Sequence, residues 1–151
     1  MNKKPQLLTF IVFAILVIAV FIGIYFSNVN KSLTNTAQCS LHNNTCLFSN
    51  ETLDLTVVFK QTPIVEEEIF IDFTLSRDFI VKQAWIEGIN MYMGKTPIMI
   101  NKRTNGQVIT GVTFLGSCSN PTMQWQLFVE VENKTSKQTY IYTALFSTKT
   151  V

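Results

Sequence analysis

The feature that most constrains this chain is an apolar run at residues 7–26, twenty residues without a charged side chain and interrupted only by Thr9 and Gly23. A helix rises about 1.5 Å per residue, so the run would be about 30 Å long, the thickness of one hydrocarbon core. Lys3 and Lys4 precede the run, whereas the next basic residue is Lys31. Because the more basic flank stays in the cytoplasm, the sequence predicts a single transmembrane helix, with residues 1–6 inside and the rest exported.

A cleaved signal peptide and a lipoprotein signal are the two alternatives for the same run. A signal peptide has an apolar core of about 7 to 15 residues followed by a small-x-small site. Residues 26–29, Phe-Ser-Asn-Val, do not provide that site. A lipoprotein needs a small residue directly before its modified cysteine, but Cys39 follows Gln38 and lies well beyond the run. The length and the flanks therefore favour an uncleaved anchor.

The remainder of the chain is long enough for one compact domain. The sequence has 151 residues and a net charge of +2, which Lys3 and Lys4 account for, so the exported part is neutral. A neutral domain has no long-range field with which to collect nucleic acid. Asn, Ser and Thr dominate residues 27–50. We expect these residues to form a polar stalk, ordered at most around a bridge between Cys39 and Cys46, and residues 51–151 to form the exported domain.

The exported domain shows the alternation of apolar and polar residues that is typical of half-buried strands. Residues 123–131 are the clearest case, with five apolar side chains on one face. Residues 87–97 contain two glycines and end at Pro97, which predicts an edge strand or an ordered loop. The other strands are predicted at residues 53–59, 66–76, 79–86, 97–101, 107–115 and 140–146.

About seven short strands separated by turns predict an all-β fold, an immunoglobulin-like antiparallel β-sandwich with Trp85 or Trp125 at its centre. Asn105-Gly106 supplies the backbone angles of a hairpin turn between two of these strands. No helical period is present beyond the anchor.

The chain has three cysteines, Cys39, Cys46 and Cys118, so they cannot all pair. An exported location favours disulfides. Cys39 and Cys46 are the nearest pair and would close a small loop as a structural clip, stabilising the fold by about 2 to 3 kcal/mol. Pairing of Cys118 with either of the others would instead connect the stalk to the domain. Sequence does not choose among these three pairings.

The inventory of catalytic motifs is poor. His42 is the single histidine and lies in the predicted stalk, so a Ser-His-Asp or Cys-His arrangement lacks a base within the domain. The sequence has no phosphate-cradling glycine loop, no His-x-x-His pair and no Cys-x-x-Cys motif. We therefore expect no enzyme activity and no small-molecule ligand.

One group of residues suggests metal chemistry. Met91 and Met93 would leave the same face of an extended backbone, about 7 Å apart at their Cα atoms. Methionine sulfur is a soft, neutral donor that suits Cu(I) and survives in an oxidising compartment. Further ligands of this candidate metal site would come from Met99, Met123, Cys118 or His42. The alternative interpretation is that these methionines pack the core or form a partner surface.

With one N-terminal anchor and an exported immunoglobulin-like domain, the layout resembles the FixH and YtkA-like families and the CtaG-type copper chaperones of cytochrome oxidase. CtaG-type proteins bring copper to a Cys-x-Cys motif, whereas Cys118 is followed by Ser119 and Asn120. The exported PCuAC chaperones use paired His and Met ligands, and His42 precedes Met91 by too much to match their spacing.

This resemblance implies work at the outer face of a bacterial cytoplasmic membrane, in the assembly of a respiratory complex or a metal centre, with a membrane-protein partner. Two functional hypotheses follow from the sequence. One is a membrane-anchored accessory protein that handles copper or assists assembly. The other is a scaffold module that binds no metal and docks on its partner through residues 88–97.

Overall fold

The computed structural model describes residues 13–22, 38–51, 53–101 and 108–149. The chain divides into two compact units, Met1–Ser32 and Leu33–Val151. In the first unit, residues 13–22 form a helix, α1, whose side chains are all apolar and exposed. The predicted tail at residues 1–6 and both ends of the predicted span at residues 7–26 lie outside the described residues. Within the described ranges, no helix has both the length and the apolar character needed to cross a membrane.

In the second unit, the described residues form ten strands arranged in two five-stranded sheets. The strands are β1 (Gln38–Ser40), β2 (Thr45–Ser49), β3 (Asp54–Phe59), β4 (Glu68–Leu75), β5 (Phe79–Gly88), β6 (Lys95–Pro97), β7 (Met99–Ile100), β8 (Val108–Phe114), β9 (Thr122–Asn133) and β10 (Thr139–Lys149). The first sheet has the order β1-β10-β9-β5-β6 and the second has the order β2-β3-β4-β8-β7. The pairing of β1 with β10 is parallel, and the other pairings are antiparallel.

Side-chain alternation explains why the two sheets face each other. Strands β4 and β9 bury every second side chain, so each presents one apolar face. Aromatic pairs connect the two apolar faces: the rings of Phe48 and Tyr142 lie 5.2 Å apart, and those of Phe59 and Phe146 lie 5.0 Å apart. The first member of each pair belongs to the second sheet and its partner to the first. The prediction of an all-β, sandwich-like fold is confirmed.

The two tryptophans occupy different faces of the first sheet. Trp125 is only 1% exposed and donates a hydrogen bond from its Nε1–H to the buried Thr148 hydroxyl at 2.9 Å. Trp85 is half-buried on the outer face, where its ring stacks on Phe128 at 5.1 Å and the Lys95 ammonium lies 4.3 Å from its ring centre. Of the two candidates for the centre of the sandwich, Trp125 occupies it.

A tight hairpin connects β1 with β2 and carries the chain from one sheet to the other. His42 and Thr45 exchange backbone hydrogen bonds of 3.1 and 3.0 Å across this hairpin. Asn43 and Asn44 between them have φ angles of 48° and 59°. Two successive positive φ angles define a type I′ turn, for which asparagine is one of the favoured residues.

A disulfide bond between Cys39 and Cys46 joins β1 to β2 and thereby joins the two sheets at this edge. Their Cα atoms are 6.0 Å apart, and Cys46 is buried in the core. Cys118 is a free thiol. Of the three pairings that the sequence left open, the structure contains the one that closes the shortest loop.

The structure differs from the predicted stalk at residues 27–50, because residues 38–49 form the hairpin strands of the sandwich. Next to them, Asn50 donates a side-chain hydrogen bond to the Tyr142 hydroxyl at 3.1 Å. Burial raises the pKa of Tyr142, and the hydrogen bond from Asn50 acts against that rise. Strand β2 was missed because only Cys46 and Phe48 form its buried face, too few apolar residues for a recognisable alternation. Residues 27–37 lie outside the described residues.

At the opposite edge, β5 continues to Gly88 and pairs with the short strand β6. The chain then crosses to the second sheet at the buried Ile98, whose N–H donates to the Ala84 carbonyl at 2.9 Å. The predicted pairing of residues 97–101 with residues 107–115 is confirmed by β7 and β8. Its Asn-Gly turn lies outside the described residues. The part of the chain that the structure describes thus contains ten strands, where about seven were predicted.

Candidate functional site

Two loops at one end of the sandwich carry three of the sulfur atoms that the sequence pointed to, those of Met91, Met93 and Cys118. The methionine loop, residues 89–94, connects β5 with β6, and the cysteine loop, residues 115–121, connects β8 with β9. Gly88 at the end of β5 pairs with Trp125 near the start of β9. The methionine loop therefore begins beside the strand into which the cysteine loop leads.

The two loops meet through a pair of sulfur atoms. The Sγ of Cys118 lies 2.7 Å from the Sδ of Met91, with the thiol placed to donate to the thioether. Met91 is 38% exposed, and Cys118 is half-buried. Two soft donor atoms are thus held together at a position that solvent can reach.

Two glycines shape the methionine loop. The chain turns so sharply after β5 that the carbonyl oxygen of Met91 occupies the place a Cβ on Gly88 would need. Any larger residue at position 88 would push this carbonyl, and the Met91 side chain with it, away from its present position. Gly94 ends the loop with a φ of 76°, a left-handed conformation that glycine adopts without a steric cost. The backbone N–H of Ile89 donates to the Gln124 carbonyl at 2.8 Å and fixes the start of the loop to β9.

The cysteine loop is held at both of its ends. Leu115 is fully buried, and its carbonyl accepts a 2.7 Å hydrogen bond from the backbone N–H of Glu66. The Glu66 carboxylate accepts a hydrogen bond from the Ser117 hydroxyl, directly before Cys118. At the other end, the N–H of Thr122 donates to the Asn120 side-chain oxygen at 3.1 Å. These bonds fix the residues on both sides of Cys118.

The other predicted ligands are divided between this site and the rest of the fold. Met93 is partly buried against the core, and its Cε lies 3.9 Å from where a Cβ on Gly116 would be, so it borders the cysteine loop. Met123 is 1% exposed, and its Cε lies 3.3 Å from the corresponding position on Gly88, beneath the methionine loop. Met99 is 68% exposed on β7, opposite Val112, and belongs to neither loop.

The geometry that the sequence suggested for Met91 and Met93 is not the one in the structure. Residues 89–94 form no strand, so their side chains do not alternate between two faces as those of an extended backbone would. Met91 instead meets Cys118, and Met93 turns toward the core. His42 is exposed in the hairpin between β1 and β2.

The chemistry of the site is that of neutral sulfur. Neither loop contains a charged residue in its sequence, Ile-Asn-Met-Tyr-Met-Gly and Leu-Gly-Ser-Cys-Ser-Asn-Pro. Across the residues that the structure describes, no three His, Cys, Asp or Glu side chains are grouped as a metal site. Thioether and thiolate are soft ligands that select Cu(I) among the common biological metals, and a thiol must lose its proton to bind.

No protein family, curated protein or solved structure matches this chain. The fold and the site therefore define the protein only as an all-β sandwich with a disulfide at one edge and a two-sulfur site between loops at one end.

Proposed function

We propose that this protein is a membrane-anchored accessory protein that binds Cu(I) through Met91 and Cys118. The observation that carries this proposal is the contact between the two sulfur atoms, which the methionine loop and the cysteine loop bring together. A metal ion bound to both would hold the sulfur atoms farther apart than this contact, so the loops must separate slightly to admit it. Binding would replace the thiol proton with the metal, so that Cys118 contributes a thiolate and Met91 a thioether. The exposed fraction of Met91 leaves a path for copper to enter and leave.

Met93 is the third ligand that we propose. It borders the cysteine loop at Gly116, and its unbranched side chain has enough freedom to turn toward a metal ion. Met123 lies buried beneath the methionine loop, where packing accounts for it. Met99 is excluded from the proposed ligand set because it lies on the edge strand β7, outside both loops.

The sandwich itself is proposed to be immunoglobulin-like. In chain order, strands β3 to β10 correspond to strands A, B, C, C′, D, E, F and G of that fold. The second sheet then has the order A-B-E-D and the first has G-F-C-C′, which are the two sheets of an immunoglobulin domain. Strands β1 and β2 are additions outside strands G and A.

The proposed location is the outer face of a bacterial cytoplasmic membrane, with a single N-terminal transmembrane helix. Support comes from the charge-free run at residues 7–26 and from α1, whose described residues are apolar on every side. A copper site of this kind would serve the assembly of a respiratory or other metal-containing membrane complex. The role in assembly is supported by the resemblance of the layout to that of the oxidase assembly proteins.

A scaffold role without metal is the second candidate, and the exposed side chains of the methionine loop favour it. Tyr92 is 88% exposed and Ile89 is 49% exposed, beside Met91. Tyrosine is enriched among the residues that dominate binding at protein interfaces. In this alternative, the same loop docks on a membrane-protein partner and the two sulfur atoms only pack together.

A Cu(I) competition titration distinguishes the two candidates. The full-length chain in detergent is titrated anaerobically with ascorbate, which keeps copper in the cuprous state, against a chromophoric Cu(I) chelator. We expect the wild type to bind one equivalent. Met91→Leu and Cys118→Ser should each weaken binding by about tenfold or more, which corresponds to about 1.4 kcal/mol. Met→Leu nearly conserves side-chain volume, so the melting temperature should change little.

The matched control is Met99→Leu, which removes a methionine sulfur outside the two loops and should leave the affinity unchanged. Absence of copper binding by the wild type would contradict the metal site and leave the scaffold role. A loss of affinity in Met99→Leu equal to that in Met91→Leu would also contradict the proposed ligands.

A further inference from the structure

We propose that Asn90 is the positioning residue of this site, because its side-chain amide holds the methionine loop against β9 and so keeps the Met91 sulfur facing Cys118. This inference rests on the proposed Cu(I) site and assigns a role to a residue that supplies no metal ligand itself.

The side-chain amide of Asn90 both donates and accepts a hydrogen bond. Its Nδ2–H donates to the Thr122 carbonyl at 2.9 Å, and its Oδ1 accepts from the Gln124 N–H at 3.0 Å. The two backbone groups lie two residues apart on β9. Together with the bond from the Ile89 N–H to the Gln124 carbonyl, three hydrogen bonds fix the first two residues of the loop to one short stretch of strand.

These hydrogen bonds connect the methionine loop with the cysteine loop. Asn90 directly precedes Met91, and Thr122 is the first residue after the cysteine loop. The side chain of one residue therefore ties the start of one loop to the end of the other. A metal site whose ligands come from two loops loses affinity when the loops become ordered only on binding. The hydrogen bonds of Asn90 order the loops beforehand and therefore favour metal binding.

The chemistry of the side chain explains why asparagine is suited to this role. An amide carries a donor and an acceptor on one short, planar group. Aspartate would keep the acceptor for the Gln124 N–H but would set a carboxylate oxygen against the Thr122 carbonyl. Alanine would lose both bonds. Asn90 is exposed, so it contributes little apolar burial, and its replacement should act on the loop more than on the core.

The first test compares the Cu(I) affinities of the full-length wild type, Asn90→Ala and Asn90→Asp. We expect Asn90→Ala to bind about tenfold more weakly or worse, which would be about 1.4 kcal/mol, and Asn90→Asp to lie between it and the wild type. The matched control is Asn133→Ala. The Oδ1 of Asn133 also accepts two backbone hydrogen bonds, from Thr135 at 2.9 Å and Ser136 at 3.0 Å, but at the far end of β9.

The second test requires no metal. Cys118 is the single free thiol, so alkylation by iodoacetamide reports on it alone. If Asn90 holds Met91 against this thiol, Asn90→Ala should be alkylated several-fold faster than the wild type, whereas Asn133→Ala should react at the wild-type rate. A merely structural role would change the melting temperatures of both variants and would not single out the thiol.

The outcomes separate this inference from the function on which it rests. Wild-type copper binding with equal affinity in Asn90→Ala would overturn the positioning role and leave the proposed function intact. Failure of the wild type to bind copper would overturn the proposed function, and the alkylation rates would then decide the role of Asn90. Equal effects of Asn90→Ala and Asn133→Ala in both tests would show general destabilisation and overturn the inference.

Discussion

Trp125→Ala is expected to lower the free energy of unfolding by about 3 to 5 kcal/mol, the largest effect that we predict for a single substitution in the sandwich. The side chain is 1% exposed between the two sheets, so its removal leaves a cavity that the surrounding strands cannot fill. It also leaves the buried Thr148 hydroxyl without the Nε1–H that donates to it. Urea denaturation of the unit Leu33–Val151 measures the change.

Trp85→Ala provides the matched control, since it removes the same side chain from the outer face of the same sheet. The variant loses the stacking of Trp85 on Phe128 and its contact with Lys95. These interactions are partly exposed to solvent and together stabilise the fold by about 1 to 2 kcal/mol. We therefore expect the smaller loss of stability in Trp85→Ala. The reverse order would mean that Trp85 and not Trp125 occupies the core.

Removal of the disulfide has the second large effect. The double variant Cys39→Ala with Cys46→Ala should lose about 2.5 kcal/mol of stability on the loop-entropy model, because the bond closes a loop with a sequence separation of 7 residues. The bond also joins the two sheets at one edge, so the hairpin of β1 and β2 should open before the remaining strands. Urea denaturation without reductant, with hydrogen exchange on β1 and β2, measures both consequences.

The control for the disulfide is Cys118→Ser, which removes a cysteine that forms no covalent crosslink. It should retain nearly the stability of the wild type. If the double variant is as stable as Cys118→Ser, the bond between Cys39 and Cys46 does not contribute to the fold as described.

The strands that could be predicted are those in which alternation continues for several residues. In β9, Met123, Trp125 and Leu127 are buried as the pattern indicated, and β4 behaves in the same way. Strand β2 offers only two buried side chains, and its turn of two asparagines lies in a polar stretch that resembles a stalk. The alternation of apolar and polar residues cannot identify so short a strand. Its position in the sheet depends on its pairing with β3.

The candidate site was predictable in its residue types and not in its geometry. Methionine and cysteine could be identified as soft donors from sequence alone, but the contact between Met91 and Cys118 joins residues 27 positions apart. It depends on the sharp turn at Gly88 and on the bonds of Asn90 to β9. Neither feature can be recognised from the spacing of apolar residues in the sequence, because the conformation of a loop depends on the strands to which it is hydrogen-bonded. The prediction that the residues around Met93 are extended was therefore wrong.

X-ray absorption at the copper edge, measured on the full-length chain carrying one equivalent of Cu(I), tests the proposed copper site most directly. We expect a first coordination shell of sulfur alone, with two or three scatterers, which loses one sulfur in Met91→Leu and is unchanged in Met99→Leu. A shell of nitrogen or oxygen ligands, or a spectrum unaffected by Met91→Leu, would contradict a copper site between Met91 and Cys118.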